Sequence, residues 1–573
     1  MQRRAWLAAT GAGLALAAPC GGSFAAAPKV LRAAFSSAEV GFDPIQVSDE
    51  SSLTVVALIF EAPLTFDELA SPAVLKPLTA AALPEVSTDF KHFVFTIRPG
   101  ILFADDPVFK GRPRELIAAD YVYSIKRLYD PAIKTERLYL FENAKLLGLA
   151  GLRVQGRYRF EVRLGQPSPR FANVFGAAQN AGAVAREVIE AYTADTMAHP
   201  VGTGPYRLAE WRRSSRVVLE RNPRFRELRF ESVAPADDAQ AQATAKALAG
   251  QRLPLVDRIE ISVIEESQPR WLAFLGGAID TLRLPPAFAS IAMPVGRLAP
   301  YLAQRGIQAR QTLTSSVVHT FFNFDDPQVG GYAAAKVALR RAIALAFDNP
   351  ASIRLFYNGQ ALPAQSMIAP HNVGYDPTLK SEMSEASLPR ANALLDLYGY
   401  VRGSDGWRRH PDGAPLRLQR ASSADQRSRQ LNELWQKRMS AVGLRIAFEV
   451  APFGELIKRS LAGQLQMWGF AWSNGPDGEF FLGLAYGPNA DQSNDARFKL
   501  PAYDALYARQ SAMPDGPERL AVMREATKVM LAYVPYIAHV HPLDTDLSHA
   551  PVRHLIRHPF KAAWWHFTDI DIR

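Results

Sequence analysis

The sequence LNELWQKRMSAVGLRIAFEV, residues 431–450, carries a helix pattern followed directly by a strand pattern. Its first apolar residues recur at the spacing of one helix face, and its last ones alternate with more polar residues. The helical set is Leu431, Leu434, Trp435 and Met439, and the alternating set is Leu444, Ile446, Phe448 and Val450. Gly443 stands between the two sets, where a glycine commonly ends a helix. The stretch therefore predicts a helix that leads into a strand.

The residues that follow repeat this order of helix and strand. Phe453 to Leu461 predicts a second helix, and Gln464 to Trp472 predicts a second strand. Similar interleaving occurs earlier in the chain, with strand patterns at 92–98, 152–164 and 258–264 and a helix pattern at 269–278. Alternation of this kind favours an α/β fold with a parallel sheet.

The turn Ser473-Asn474-Gly475-Pro476-Asp477-Gly478 follows the second predicted strand. In parallel α/β sheets ligands sit beyond the carboxyl ends of the strands, so this turn is a binding-site candidate. Phe470 and Trp472 share strand parity, and their rings would offer a ligand a large apolar contact area. The alternative interpretation is an ordinary surface turn, with Trp472 as a core residue.

The first 25 residues carry the pattern of a signal peptide. Arg3 and Arg4 precede an apolar stretch from Ala5 to Ala18, and small residues follow up to Ala25. The apolar run is shorter than the roughly 20 residues that a membrane span requires. We therefore expect export, by the general secretory or the twin-arginine route, with cleavage after Ala25. Cleavage there would remove Cys20, the only cysteine, and with it any thiol chemistry.

Composition and charge are those of an ordinary globular protein. Of 573 residues, 48% are hydrophobic and 21% are charged, with a formal net charge of +9. The positive residues form no clustered stripe, so nucleic acid is not an expected partner. The length suggests about three domains.

The sequence holds no common catalytic signature. It lacks an HExxH zinc motif, a Walker phosphate loop and a Gly-x-Ser-x-Gly elbow, so we predict a protein that is not an enzyme and needs no cofactor. Histidines concentrate near the C-terminus, and His539 and His541 stand two apart on a strand pattern, where they could chelate a metal. Core histidines are the favoured interpretation, and no residue is assigned as a metal ligand.

A series of short motifs runs in order along the chain. The most specific is Val201-Gly202-Thr203-Gly204-Pro205-Tyr206, followed by Trp211 and by Leu219-Glu220-Arg221-Asn222-Pro223. Before it stand Phe42-Asp43-Pro44 and the segments 59–64, 93–103 and 118–124, and after it stand 322–324, 339–348 and 374–377. This series resembles the extracytoplasmic solute-binding proteins of peptide, nickel and related ATP-driven importers, known as solute-binding family 5.

The resemblance implies an α/β, two-lobed periplasmic-binding-protein-like fold, of type II in its large three-domain variant, with a hinge and an interlobe cleft. The implied first lobe is a discontinuous domain at 28–65, 196–312 and 535–573, with an inserted domain at 66–195. The implied second lobe, at 313–534, is the ligand-binding domain. Hinge closure around the ligand is the expected motion.

The function implied is that of the periplasmic substrate-binding component of an ABC-type importer. Such a protein would capture an oligopeptide, a peptide-like compound or another organic solute. As a monomer it would deliver this ligand to a heterodimeric permease of the inner membrane, which works with its ATPases. Three alternatives stay open: a nickel-type metal-chelate binding protein that uses the late histidines, an exported hydrolase, and a scaffold or sensor with the same fold.

The resemblance also implies site residues. Peptide binders of the family hold the ligand ammonium with an Asp in a loop of the form Gly-Trp-x-x-Asp, and neutral Ser473 takes the place of that acid here. A buried ammonium without an opposite charge is costly, so this departure argues against recognition of a free peptide N-terminus. We predict instead a pocket that grips apolar or aromatic surface. The predicted ligand-binding residues are Ser48, Asp49, Glu50, Tyr139, Phe470, Trp472, Ser473, Asn474 and Asp477.

Overall fold

The computed structural model describes residues 27–571, except for residues 134, 136, 143–145, 147 and 424. The predicted signal peptide, Cys20 included, lies outside the described residues. None of the helices in the described ranges is both long enough and apolar enough to cross a membrane.

A four-stranded sheet forms the centre of the first lobe. Its strands, in spatial order, are Val30–Phe35, Arg258–Val263, Arg216–Arg221 and Tyr206–Arg212. The first two strands are parallel, and the other neighbours are antiparallel. The helices of this part are Glu50–Ile59, Ala239–Leu248, Ser267–Leu275, Ala289–Ala292 and Pro300–Ala303. Two short strand pairs accompany them, Leu228–Arg229 with Arg252–Leu253 and Val552–Arg553 with Asp569–Ile570. The strand predicted at 258–264 and the helix predicted at 269–278 are confirmed.

A second four-stranded sheet lies in the segment between residues 66 and 195. Its strands are Glu85–Val86, His92–Thr96, Arg159–Arg163 and Leu152–Gly156, all antiparallel. Phe93, Phe95 and Phe160 are fully buried in its core, as the alternating pattern predicts. The helices here are Ala118–Lys126, Tyr139–Glu142, Ala178–Ala181 and Arg186–Ala191, and Leu64–Phe66 pairs with Leu75–Pro77 beside them.

The second lobe contains the parallel unit that the late sequence predicts. Strand Arg417–Ser422 pairs in parallel with Arg445–Val450, and helix Gln426–Ala441 connects them. Helix Phe453–Leu461 follows as predicted. The remaining helices are Ala334–Ala346, Asn349–Phe356, Leu388–Leu397, Glu479–Gly483, Pro501–Ala512 and Pro517–Tyr533. The prediction of a parallel α/β arrangement is therefore confirmed for this unit.

The single strand predicted from Gln464 to Trp472 is wrong. The structure has two short strands, Met467–Trp468 and Ala471–Ser473, which pair with different parts of strand Ser316–Phe322. They are separated at Gly469, where an added Cβ would lie 2.1 Å from the carbonyl oxygen of His319. The close approach of that backbone interrupts the regular alternation.

The long strand Tyr536–Ser548 joins the two lobes. Its first half pairs with Ser316–Phe322 and Ala361–Pro363, and its second half pairs with Gln308–Leu313 and Thr281–Arg283. Strands Gln308–Leu313 and Ser316–Phe322 are consecutive in the chain, so two neighbouring backbone segments pass together from one lobe to the other. Such paired crossings can act as a hinge. The predicted boundary at 313 lies between these two strands, whereas residues 536–541, predicted for the first lobe, pair with second-lobe strands, and the division into domains stays a prediction.

The motifs along the chain contact one another in the first lobe. Thr203 donates a hydrogen bond to Glu61 (2.9 Å), which also receives two hydrogen bonds from Arg226 (2.7 and 2.9 Å). Gly202 packs so closely that an added Cβ would lie 2.0 Å from the carbonyl oxygen of Ile59. Asn222 donates its side-chain amide to the carbonyl of Gly204 (2.9 Å). The Gly-Thr-Gly-Pro-Tyr and Arg-Asn-Pro motifs are therefore parts of one packing unit.

Candidate ligand-binding cleft

A cavity of about 520 Å³ lies between the two lobes, next to the long strand, and we call it the cleft. Its lining includes Phe35, Trp564 and Trp565 from the first lobe and Phe356 and Tyr357 from the second. Ligand pockets for small molecules typically measure about 300–1,000 Å³ and are bounded by aromatic side chains with a few polar groups. The cleft has the size and the walls of a binding site for an organic ligand.

A network of charged side chains covers the first-lobe wall of the cleft. Arg557 donates two hydrogen bonds to the carboxylate of Asp546, at 2.7 and 3.0 Å, and its guanidinium stacks 4.2 Å from the centre of the Trp564 ring. Arg283 donates to Asp544 at 2.8 Å and to Glu50 at 3.2 Å. Three carboxylates thus share two guanidinium groups, and the side chain of Glu50 remains 67% exposed towards the cavity.

The opposite wall is aromatic and positively charged. Arg427 lies over Tyr357, with its Cζ 4.6 Å from the ring centre, and both residues line the cleft together with Phe356. Among the described residues that line the cavity, the carboxylates all belong to the first lobe. The first-lobe wall therefore combines three acids, Glu50, Asp544 and Asp546, with three arginines, Arg270, Arg283 and Arg557, whereas the described second-lobe lining carries Arg427 and no acid.

The predicted first-lobe residues have different positions. Glu50 lines the cleft, whereas Asp49 caps helix Glu50–Ile59 by accepting a hydrogen bond from the backbone N–H of Ser52 (2.8 Å). Ser48 lines a separate, open cavity beside Leu128 and Arg137. Tyr139 begins the short helix Tyr139–Glu142, and its side chain lies outside what the structure describes.

Phe470 and Trp472 pack into the apolar cluster of the second lobe. Their ring centres are 5.3 Å apart, and Trp472 also contacts Phe480 at 5.5 Å. Ala471, between them, lines the cleft. Successive strand residues point to opposite faces, so the parity that exposes Ala471 to the cavity directs the two rings to the other face. These contacts favour the alternative interpretation of Trp472 as a core residue, and its ligand contact stays a prediction.

Ser473, Asn474 and Asp477 are engaged within the protein. The Ser473 hydroxyl donates to the carbonyl of Ser315 (3.1 Å), and the Asn474 side chain accepts from the backbone N–H of Gly475 (2.7 Å). Asp477 accepts hydrogen bonds from both terminal nitrogens of buried Arg519, at 2.6 and 2.8 Å. A ligand would have to compete with these partners.

The turn at 473–478 also contacts the first lobe. An ideal Cβ on Gly475 would lie 1.8 Å from the Phe560 ring, so the turn backbone rests directly on that side chain. Nearby, Arg170 reaches across to Glu479 and donates to the carbonyls of Ser511 and Met513, at 2.6 and 2.9 Å. These contacts hold the two lobes together beside the cleft.

The late histidines are largely buried in the protein interior. His539 and His541 lie on the long strand, and burial lowers the pKa of His539 to about 3 and that of His541 to about 4. His558 accepts hydrogen bonds from the backbone N–H groups of Phe560 and Lys561, and its other ring nitrogen bonds the carbonyl of Asp67. Within the described ranges, no three His, Cys, Asp or Glu side chains are grouped to hold a metal ion.

Sequence reasoning missed most of the cleft. The residues it did not identify are Arg283, Tyr357, Arg427, Asp544, Arg557, Trp564 and Trp565. The adjacent tryptophans 564 and 565 were the one local signal available, because paired aromatics are common at binding surfaces. Arg283 and Asp544 carry no local signal, since they are 261 positions apart in the chain.

Replacement of Trp472 by alanine tests which interpretation of this ring is correct. We expect the Trp472→Ala variant to lose about 2–3 kcal/mol of unfolding free energy, because it leaves a void among packed rings. A thermal melt measures this loss. Calorimetric titration should show ligand affinity within about threefold of wild type, whereas Tyr357→Ala, in the cleft wall, should lose affinity and keep its melting temperature. If Trp472→Ala binds ligand more weakly but melts like wild type, the interpretation of Trp472 as a ligand contact is correct.

Comparison with known proteins agrees with the fold. The chain is 24% identical over 564 residues to di/tripeptide-binding protein 2 of Pseudomonas aeruginosa, and this alignment covers 93% of each protein. The structure of HbpA2 from Haemophilus parasuis superposes with a TM-score of 0.77 at 17% identity, covering 95% of this chain and 100% of that one. The periplasmic murein tripeptide-binding protein MppA, in its unliganded open form, superposes with a TM-score of 0.75 at 17% identity, covering 95% and 97%.

A family profile covers most of the chain. The profile described as bacterial extracellular solute-binding proteins, family 5 middle, matches residues 74–493. This range includes the inserted sheet, the Gly-Thr-Gly-Pro-Tyr motif and most of the second lobe. The two-lobed α/β fold, the cleft between its lobes and this match lead to one conclusion: the protein belongs to solute-binding protein family 5.

Proposed function

We propose that the protein is the substrate-binding component of an ABC-type importer and captures a short peptide or peptide-like solute in the cleft. The observation that carries the proposal is a cavity of about 520 Å³ with both acids and arginines on one wall, Arg427 on the other and aromatic rings on both. A zwitterionic chain with apolar side chains matches this lining, because its two charges can each meet an opposite charge and its side chains can pack against the rings. The names of the relatives, a di/tripeptide-binding and a murein tripeptide-binding protein, support this class of ligand.

The first-lobe acids can replace the missing Asp at position 473. Glu50 and Asp544 lie on the cavity surface, and together with Asp546 they form a network of three carboxylates with two guanidinium groups, those of Arg283 and Arg557. An ammonium held by these carboxylates would satisfy the requirement for an opposite charge that Ser473 does not meet. The ligand would then be oriented with its cationic group towards the first lobe.

The remaining features of the proposal follow from this role. The first lobe would comprise 28–65, 196–312 and 535–573 with the inserted domain at 66–195, and the second lobe would comprise 313–534. The mature protein would act as a monomer in the periplasm, bind no nucleic acid, and release its ligand unchanged to a heterodimeric permease with its ATPases. Closure would be stabilised by the contacts of Arg170 and Gly475 between the lobes.

Native mass spectrometry of the purified protein, followed by calorimetric titration with di- and tripeptides, tests the function. We expect one ligand per chain, recovered chemically unchanged. At ligand a hundredfold above its dissociation constant, the free energy of unfolding should rise by about 2.7 kcal/mol. Small-angle scattering should show a more compact particle with ligand than without. Progressive conversion of the bound compound, or identical scattering with a demonstrated tight ligand, would contradict the proposal.

A further inference from the structure

A second cavity lies in the first lobe, where helix Glu50–Ile59, the segment between residues 66 and 195, and residues 560–566 meet, and we call it the apolar cavity. It measures about 120 Å³. Protein interiors hold few voids larger than a water molecule, so a space of this size is exceptional. Pockets for drug-sized ligands measure about 300–1,000 Å³, so the apolar cavity is too small for a peptide. An engineered apolar cavity of about 150 Å³ binds benzene or xenon, and this volume is similar.

Small side chains on three segments of the chain leave the space open. They come from helix Glu50–Ile59 and the turn after it, from the beginning of helix Ala178–Ala181, and from the C-terminal segment. The residues are Ala57, Ala62, Ala177, Ala178, Ala562 and Ala563. A longer side chain directed inwards from one of these positions would occupy part of the space.

Phenylalanine rings form the larger parts of the wall. Phe60 and Phe230 are only 3% and 1% exposed, and Phe225 and Phe560 complete the set. The ring of Phe560 meets that of Phe66 edge-on, with 6.4 Å between the ring centres. Aromatic rings attract a further ring in offset-stacked or edge-to-face arrangements. The wall therefore suits a planar apolar molecule.

The acids of the described lining are paired or exposed to solvent. Both carboxylate oxygens of buried Glu68 accept hydrogen bonds from the Nζ of Lys561, at 2.6 Å each. Buried Glu61 accepts from Arg226 at 2.7 and 2.9 Å. The third acid, Glu231, is exposed.

The cations of the described lining are engaged as well. Lys561 is bound to Glu68, and the Nε2 of His566 lies 3.6 Å from the same carboxylate. Lys76 and Arg229 donate to backbone carbonyls, at 2.9 and 2.8 Å. A charged ligand would lose its hydration and would have to compete with these partners for a counter-ion, which costs free energy. The apolar cavity is therefore complementary to an uncharged molecule.

The apolar cavity is separate from the cleft, but the two share a wall. Their described linings have no residue in common. Thr54 and Trp564 line the cleft, whereas Ala57 and Ala563, on the same two segments, line the apolar cavity. The Thr54 hydroxyl donates to the carbonyl of Ala562 at 3.2 Å and so connects the two segments of the wall. A molecule in the apolar cavity would occupy a site of its own.

We propose that the apolar cavity is a second binding site, which takes one uncharged apolar molecule of the size of a single aromatic ring. The inference goes beyond the proposed function, because it does not depend on which ligand the cleft binds. The site recognises its ligand by shape and apolar contact, through the alanine methyl groups and the phenylalanine rings.

Xenon and benzene are the probes, because both are uncharged and apolar and fit a cavity of this size. Wild-type crystals pressurised with xenon should show an anomalous peak in the apolar cavity. The peak should be absent from Ala57→Leu and Ala177→Leu, whose longer side chains take up the space. Calorimetric titration should show benzene binding at least about tenfold more weakly to these variants than to wild type. Wild-type crystals soaked in benzene should show density in the cavity, and crystals soaked in benzoate at the same concentration should not.

Ala243→Leu is the matched control, because it places the same side chain at an exposed position of helix Ala239–Leu248 in the first lobe. It should keep both the xenon peak and the affinity for benzene. Absence of the xenon peak from wild-type crystals, or equal benzene affinity in wild type, Ala57→Leu and Ala177→Leu, overturns the proposal. If one of the two variants does not fold, the other decides. Density for benzoate in the cavity overturns the assignment of an uncharged ligand.

Discussion

Replacement of Arg127 by methionine is expected to lower the free energy of unfolding by about 3–5 kcal/mol, because it leaves the Asp43 carboxylate buried without its cation. Arg127 donates two hydrogen bonds to Asp43, at 2.6 and 3.2 Å, and the side chains are only 7% and 0% exposed. Gln46 adds a third hydrogen bond to the same carboxylate (2.8 Å). This pair anchors the Phe42-Asp43-Pro44 motif, and chemical denaturation measures its loss.

The pH dependence of this stability loss shows whether the unpaired Asp43 carboxylate causes it. Burial raises the pKa of Asp43, but the hydrogen bonds and charge of Arg127 outweigh it and hold the pKa below its ordinary value of 3.8. In wild type this group stabilises the fold above its unfolded pKa, and the contribution disappears as the pH falls through the lower folded pKa. In Arg127→Met burial dominates and the folded pKa rises, so the penalty appears as the pH increases above about 4.

The deficit in unfolding free energy of Arg127→Met relative to wild type should therefore be largest near neutral pH, shrink as the pH falls towards about 4, and shrink further below it. Arg153→Met, at an exposed arginine of the same lobe, should change stability by less than about 0.5 kcal/mol. Adding Asp43→Asn to Arg127→Met should recover part of the loss, because an amide is cheaper to bury than a carboxylate. A deficit that stays constant with pH, with no recovery in the double variant, would show that the pair contributes only packing.

Replacement of Gly202 by alanine is expected to cost about 3 kcal/mol or more. The added Cβ would lie 2.0 Å from the carbonyl oxygen of Ile59 and 2.7 Å from its carbonyl carbon, both backbone atoms that cannot rotate away. Overpacking of this kind forces backbone shifts and typically costs about 1–3 kcal/mol, more where the neighbour is rigid. The same shift would disturb the neighbouring hydrogen bond from Thr203 to Glu61. Thermal and denaturant melts measure the loss.

Gly454 provides the matched control for this substitution. It lies in helix Phe453–Leu461, and an added Cβ there would meet no atom within 4 Å. Gly454→Ala should be neutral or stabilise by about 0.5–1 kcal/mol, because glycine weakens a helix interior. If Gly202→Ala melts like wild type, the tight contact between the motif and helix Glu50–Ile59 is not a constraint on the fold.

Local patterns predicted the elements that depend on neighbouring residues. Helix Phe453–Leu461 and strand Arg445–Val450 lie where the spacing of apolar residues indicates, because each buries one face against the same lobe. The break at Gly469 was not predictable, since it depends on the carbonyl of His319, 150 residues earlier in the chain. Long-range backbone contacts can override a local strand pattern.

Local patterns and ordered motifs were enough to predict the α/β class, the helix–strand–helix order over residues 431–461, and the membership of the family. These features depend on residues close together in the chain or on motifs that are contiguous in the sequence. The walls of the cleft, in contrast, depend on the tertiary structure. Arg283 and Glu50 are 233 positions apart and Arg283 and Asp544 are 261 apart, so no local pattern can bring them together.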